Sequence, residues 1–273
     1  MIPVGFAYER ADSVDGALAL LAEHGEDATI LAGGHSLLPV MKLRLAAPEL
    51  IIDIGRLPEL RYIDVDVDAD EIAIGAGSRH RDLESSEILA AEAPLLAAVA
   101  RTVGDPQVRH RGTLGGSLAH ADPASDLPAA VLAMGGTVVL RSPRGERRVP
   151  ITGFYTGVFS SVKEPDELIV EVRVPRTGAA GWAYEKFTRR ANDWAIVGVA
   201  VVDGRVGLVN MGSTPLRASA TEAALADGAS IEDAAALADQ RTDPPGDLAA
   251  TKEYRRHLAR VLTRRALTTA AGG

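Results

Sequence analysis

Two glycine pairs constrain this chain more than any other feature. One lies in Leu31-Ala-Gly-Gly-His-Ser36 and the other in Arg111-Gly-Thr-Leu-Gly-Gly-Ser117. The first follows a short apolar strand pattern, Thr29-Ile-Leu31, and precedes a helical segment, Leu37–Leu43, with Ser36 at the N-cap position. Glycine lets a backbone approach a ligand closely, and consecutive N–H groups can then converge on one anion. A helix opening beside the loop adds its positive end. A single loop of this kind is better explained as a tight turn. Two of them in one chain can grip a diphosphate from both sides without any Lys or Arg.

That mode of binding suits an acidic protein. The 273 residues carry 29 Lys+Arg against 37 Asp+Glu, a formal charge of −8, which argues against a nucleic-acid partner because phosphate backbones are met by basic surfaces. Aromatic residues, at 4%, are too sparse for a single-strand stacking platform. A hydrophobic share of 47% supports a proper core, and the length fits one large domain or two smaller ones. No apolar run approaches the roughly 20 residues of a membrane span, and Met1-Ile-Pro-Val-Gly-Phe6 lacks a signal-peptide pattern, so a cytoplasmic protein is expected. Cysteine is absent. The chain therefore cannot hold a cysteine-ligated iron–sulfur cluster, and electrons it handles must pass to or from a centre on another chain.

The hydrophobic pattern divides the chain into units. Ser13 is an N-cap for a helix carrying Val14, Ala17, Leu18, Leu21 and Ala22, which Gly25 stops. With the strand, the first glycine loop and the strand Leu50–Ile54, this gives half of a nucleotide-binding α/β layer. From Leu57 onward the pattern predicts strands over Arg61–Val67 and Glu71–Ala76, a mainly helical stretch over Leu83–Ala100, a loop over Gly112–Pro123 and a helix over Ser125–Met134. A hairpin over Thr137–Arg141 and Glu146–Pro150 and a strand over Leu168–Val174 complete this part. Pro175-Arg-Thr-Gly-Ala-Ala-Gly181 is a composition break. Beyond it, strands are expected over Trp182–Phe187, Ala195–Val202 and Arg205–Met211, the last two joined by an Asp203-Gly204 turn. Helices near Thr221–Ala226 and Tyr254–Leu267 follow, and the Ala/Gly tail is expected to fray.

Standard fingerprints are missing. Gly75-Ala-Gly77 lacks the third glycine of a Rossmann motif, and neither a Walker loop nor His-Glu-x-x-His occurs. The ordered motifs instead resemble a known family. Ala32-Gly-Gly-His-Ser-Leu-Leu-Pro-Val-Met-Lys-Leu-Arg44, with Ile52-Asp-Ile54 and Leu57-Pro-Glu-Leu60, is similar to the FAD-binding medium subunits of molybdenum hydroxylases. Gly104-Asp-Pro-Gln-Val-Arg-His-Arg-Gly-Thr-Leu-Gly-Gly-Ser117 resembles the family's second FAD loop, and Ala124-Ser-Asp-Leu-Pro128 the motif beyond it. Tyr184-Glu-Lys-Phe-Thr-Arg-Arg190 with Asp193-Trp-Ala195 resembles the opening of the family's C-terminal domain. The likeness runs in order through essentially the whole chain.

The resemblance implies an α+β fold: a two-lobed FAD-binding domain of the vanillyl-alcohol-oxidase type over residues 1–177, with lobes of about 1–56 and 57–177, and a smaller α+β domain over 178–273. It implies FAD held at its diphosphate by Ala32, Gly33, Gly34, His35 and Ser36 and by Thr113, Leu114, Gly115, Gly116 and Ser117, largely through backbone N–H groups and the Ser36 and Thr113 hydroxyls. Asp126 matches an aspartate that accepts from cofactor hydroxyls, though it also reads as a helix N-terminal carboxylate. Ile169 matches a residue whose backbone meets the flavin, and Lys186 reads either as a flavin-edge lysine or as a solvated one. His35, His110 and His120 read as hydrogen-bonding or cofactor-lining groups, since no Cys or Glu stands at ligand spacing. Arg109 and Arg111 stay open between surface charges and diphosphate contacts.

No residue of the chain is assigned catalysis and no metal is expected on it, because the redox chemistry is the cofactor's. The family pattern implies two partners, a large molybdopterin-binding subunit and a small two-cluster iron–sulfur subunit, and a terminal acceptor such as a membrane quinone, which would bring the protein to the inner membrane face. Within the family, His35-Ser-Leu-Leu-Pro39 and Gly104-Asp-Pro-Gln-Val-Arg109 favour the carbon monoxide-oxidising type. Aldehyde or N-heterocycle hydroxylases, or a non-catalytic FAD-binding assembly module, are the alternatives.

Overall fold

The computed structural model describes residues 2–272. The chain opens with a strand that the sequence pattern does not reveal, β1 (Ala7–Arg10), whose four residues are all exposed and so show no inward alternation. Helix α1 (Val14–His24) follows, with Ser13 accepting from the Gly16 N–H and Gly25 closing the helix in a left-handed conformation, φ +54°. Strands β2 (Ala28–Leu31) and β3 (Leu50–Asp53) then join β1 in a parallel sheet of order β1-β3-β2. Ile30 lies opposite Ile52. Val14, Ala17, Leu18 and Leu21 of α1 pack on Leu50, Ile52 and Ile54, a small core that removes one face of the sheet from water. Between β2 and β3, α2 (Leu37–Lys42) carries the chain back across the end of the sheet.

The second unit is built on an antiparallel sheet. Strands β4 (Ile63–Asp66) and β5 (Glu71–Gly75) pair as expected, and the helical stretch after them is broken into α3 (His80–Ser85), α4 (Glu87–Glu92) and α5 (Pro94–Arg101). Ser86 makes the first break by capping α4 through the Leu89 N–H, and Pro94 starts α5. The predicted loop over Gly112–Pro123 is wrong in part: after α6 (Pro106–Arg109), residues Leu114–His120 form a helix, α7, and Asp126–Met134 form α8. Strands β6 (Thr137–Ser142) and β7 (Gly145–Pro150) make the hairpin, the small ladder of β8 (Tyr155–Gly157) and β9 (Ser160–Ser161) follows, and β10 (Leu168–Pro175) enters the centre of the sheet. The order is β4-β5-β10-β6-β7. Arg173 ties three of these strands together, reaching Asp66 at 2.8 Å, Glu71 at 3.2 Å and Glu171 at 2.6 Å.

The third unit is a four-stranded antiparallel sheet of β11 (Trp182–Phe187), β12 (Val197–Val202), β13 (Arg205–Val209) and β14 (Leu216–Arg217), in that order. Asp203 and Gly204 both take positive φ in the turn between β12 and β13, the conformation that Asp-Gly supplies at least cost. Strand β12 is buried along its whole length because both faces are covered. Ala200 and Val202 meet the core of the second unit, while Val199 and Val201 meet Leu258, Leu262 and Ala266 of the last helix. Helices α9 (Ser219–Ala226), α10 (Ile231–Ala235) and α11 (Lys252–Gly272) cover the outer face. The C-terminal tail does not fray as expected: α11 continues through the Ala-rich segment to Gly272, because Gly181 lets the Ala270 carbonyl come so close that a Cβ at 181 would lie 2.0 Å from its oxygen.

Helix α8 is the joint between the second and third units. All nine of its residues are buried, eight of them apolar and the first, Asp126, paired with a lysine. It packs on β12 and β13, and Gly207 permits the approach, since a Cβ there would sit 2.3 Å from the Ala129 carbonyl oxygen.

Candidate functional site

A cavity of about 730 Å³ lies where the three units meet, within the range of ligand sites. The first glycine loop forms one wall. Among the described residues, the N–H groups of Gly33, Gly34, His35 and Ser36 have no hydrogen-bond partner, so four successive donors are free. Gly34 has φ +79°, a conformation that glycine adopts without a steric penalty. Ser36 precedes α2 but its hydroxyl does not cap that helix, which leaves it available. Ala32, Gly33, Gly34, His35 and Ser36 all line the cavity.

The second glycine loop meets the first directly. A Cβ at Gly33 would lie 2.2 Å from the Arg111 carbonyl oxygen and 2.9 Å from the Gly112 Cα, so only glycine allows the two backbones to touch. Thr113 caps α7 by accepting from the Gly116 N–H at 3.1 Å. Thr113, Gly115, Gly116 and Ser117 line the cavity, but Leu114 does not. Its side chain is wholly buried in the core of the second unit, and its N–H donates to the Ser78 carbonyl at 2.9 Å. The Gly115 N–H donates likewise to the Ala76 carbonyl at 2.8 Å. The expected N–H contacts from 114–117 are therefore corrected: Leu114 and Gly115 fasten α7 to the segment after β5, Gly116 donates to the Thr113 hydroxyl, and the Ser117 N–H donates to the Thr113 carbonyl at 3.0 Å. Thr113 keeps an N–H without a partner among the described residues.

Asp126 and Lys186 come together from two units. Asp126 opens α8, Lys186 stands on β11, and Lys186 Nζ lies 2.7 Å from Asp126 Oδ2 and 3.1 Å from the Thr102 carbonyl oxygen. The Tyr184 hydroxyl donates to Asp126 Oδ1. Burial pushes the Asp126 carboxyl above its ordinary range, and Lys186 and Tyr184 pull it back. Lys186 is thus neither a solvated lysine nor a free one. It lines the cavity with one ammonium face while the others are paired. Asp126 also lines the cavity, and a carboxylate engaged at one lone pair of each oxygen retains capacity to accept more. Ile169 lies on the same wall beside a bulge in β10.

Of the histidines, His35 and His120 line the cavity and His110 does not. His120 packs its ring against Phe159 at 5.0 Å. Arg109 is committed to structure, donating to Glu84 at 2.9 Å and to the Val103 and Gly104 carbonyls. Two of the polar lining residues that the sequence alone does not single out are Lys163 and His80. Lys163, which donates to the Glu164 and Glu167 carbonyls, is signalled only by its place in a charged turn before β10. His80 is signalled only by its position at the first residue of α3, and it is almost fully buried.

Free backbone donors on a glycine seam, with a carboxylate paired to a lysine, line a cavity suited to an anionic cofactor. Residues 4–177 match the family described as the FAD binding domain in molybdopterin dehydrogenase, and residues 182–270 match the CO dehydrogenase flavoprotein C-terminal domain. The chain belongs to this family of FAD-binding oxidoreductase subunits. It is 43% identical over 284 residues to the carbon monoxide dehydrogenase medium chain of Hydrogenophaga pseudoflava, covering 99% of this chain and 98% of the relative. It is 39% identical over 286 residues to the 6-hydroxypseudooxynicotine dehydrogenase complex subunit alpha of Paenarthrobacter nicotinovorans, covering 99% and 96%. The fold matches a solved carbon monoxide dehydrogenase chain from Hydrogenophaga pseudoflava with a TM-score of 0.96 at 45% identity, covering 100% and 99%. No helix among the described residues is long and apolar enough to cross a membrane.

Proposed function

We propose that this chain is the FAD-carrying electron-transfer subunit of a molybdenum hydroxylase complex that oxidises carbon monoxide. The observation that carries the reading is the seam at Gly33, where two glycine loops touch and leave a row of free N–H groups facing a three-walled cavity. Bound FAD supplies the means to take up electrons in pairs and release them one at a time. The residues of the chain hold it. Gly33 to Ser36 and the Thr113 N–H would meet the diphosphate, Asp126 would accept from cofactor hydroxyls, and Lys186 and Ile169 would stand near the flavin. Residues 1–177 form the cofactor domain and 178–273 the domain that closes it.

The absence of cysteine leaves no ligand for a cysteine-held cluster on this chain and supports an electron source on another. The partners are a large molybdopterin-binding subunit, which transforms the substrate, and a small subunit with two iron–sulfur clusters. A membrane quinone or another carrier takes the electrons, which sets the complex in the cytoplasm at the inner membrane face. Carbon monoxide as substrate is supported by full-length identity to a carbon monoxide dehydrogenase medium chain. The 39% identity to a subunit of the 6-hydroxypseudooxynicotine dehydrogenase complex supports a second reading, an N-heterocycle-type hydroxylase. Co-purification of the chain with its partners, followed by a screen of carbon monoxide, aldehydes and N-heterocycles, separates the two. Carbon monoxide turnover is expected, and turnover of a heterocycle alone selects the second reading.

A further inference from the structure

One buried side chain in the cavity is not explained by the glycine loops. His80 is 5% exposed, lines the cavity, and uses its backbone N–H to hold the Gly112 carbonyl at 2.9 Å. Its ring fills the space where a side chain at 112 would stand: a Cβ on Gly112 would lie 2.6 Å from Nε2. Gly112 in turn touches Gly33. The imidazole therefore sits beneath the seam at which the two loops meet, and glycine at 112 is what makes room for it.

Neither ring nitrogen has a hydrogen-bond partner among the described residues, and Nδ1 is completely enclosed. An enclosed donor without an acceptor costs more than an enclosed acceptor without a donor. The proton therefore belongs on Nε2, the nitrogen beside Gly112, and Nδ1 keeps its lone pair. Burial holds the ring neutral, its pKa pushed down to about 4, with His35 and Arg109 adding to the effect. Arg109 is itself neutralised by Glu84. What results is an uncharged donor whose acceptor is not supplied by the protein.

We propose that His80 is a cofactor-binding residue whose Nε2–H donates to a diphosphate oxygen held at the seam by the N–H groups of Gly33 to Ser36. The proposal rests on the FAD reading and adds to it a side-chain donor of neutral charge. A hydrogen bond to an anionic oxygen of this kind sets the expected effect at roughly 10- to 100-fold in affinity.

The test titrates the full-length apo chain, wild type and His80→Phe, with FAD, ADP and riboflavin. Phenylalanine keeps a planar aromatic ring, slightly larger than imidazole, and removes both nitrogens. The variant is expected to bind FAD and ADP 10- to 100-fold more weakly, to bind riboflavin, which has no phosphate, as the wild type does, and to melt no lower than the wild type. A second measurement needs no variant: in the ¹⁵N-histidine spectrum of the wild-type chain, Nε2 of His80 should carry the proton and should shift with FAD and ADP but not with riboflavin. Unchanged FAD affinity, an equal loss for riboflavin, a lowered melting temperature with no ligand selectivity, or a silent Nε2 resonance overturns the role given to His80 and leaves the FAD reading standing. A wild-type chain that takes up none of the three ligands overturns that reading and this proposal together.

Discussion

Gly33 and Gly34 are adjacent, yet a side chain fails at each for a different reason. At Gly33 a Cβ collides with the Arg111 carbonyl, so alanine must push the two loops apart. At Gly34 the obstacle is φ +79°, which a β-branched residue adopts only under strain, with Leu38 Cδ1 3.0 Å from the Cβ position. Gly33→Ala and Gly34→Val are both expected to stay folded by circular dichroism and to lose the flavin absorbance. Full flavin occupancy in either would show that the seam is not the site. His80 gives a second expectation at this scale. Its folded pKa of about 4 lies below the ordinary 6.5, so the unfolded chain takes up the proton first. The neutral ring's contribution is complete above pH 6.5 and is lost as pH falls through 4, about 3 kcal/mol in all. Denaturant unfolding of the apo chain between pH 7 and pH 4 should show this slope in the wild type and lack it in His80→Phe; parallel slopes would refute the assignment.

Between elements, the pairing of α8 with β11 is the connection that matters most to the cavity. Lys186→Met leaves the Asp126 carboxyl buried without its cation, an arrangement that costs about 3–5 kcal/mol when a buried pair loses one member. Asp126→Asn combined with Lys186→Met should recover part of that loss, and thermal melts of the two variants measure it. No recovery in the double variant would mean that the two side chains do not act as a pair. The elements also divide by how openly the sequence announces them. α1 declares itself through Ser13, its apolar spacing and Gly25, and the β12–β13 hairpin through Asp203-Gly204, because both depend on local chemistry. α7 does not, since Leu-Gly-Gly-Ser-Leu-Ala-His has poor helix propensity and is held by bonds to Ala76 and Ser78 from across the fold. For the same reason the loop at Thr29–Ser36 could be read as an anion cradle from its residues alone, whereas His80 and Lys163 reach the cavity only through tertiary packing.

Across the whole molecule, three small units enclose one cavity, and none of them encloses it alone. The lining comes from the parallel sheet of the first unit, from the glycine helix and β10 of the second, and from Lys186 and the Asn192–Trp194 loop of the third. A chain so arranged can hold the proposed cofactor between its units. It offers no cysteine for a cluster. The most direct measurement is therefore anaerobic, following the visible flavin absorbance of the purified chain and of the assembled complex after carbon monoxide is added. The isolated flavin-loaded chain should keep its colour, and the complex should bleach. Bleaching of the isolated chain by carbon monoxide would contradict the electron-transfer reading, because substrate oxidation would then reside on this subunit.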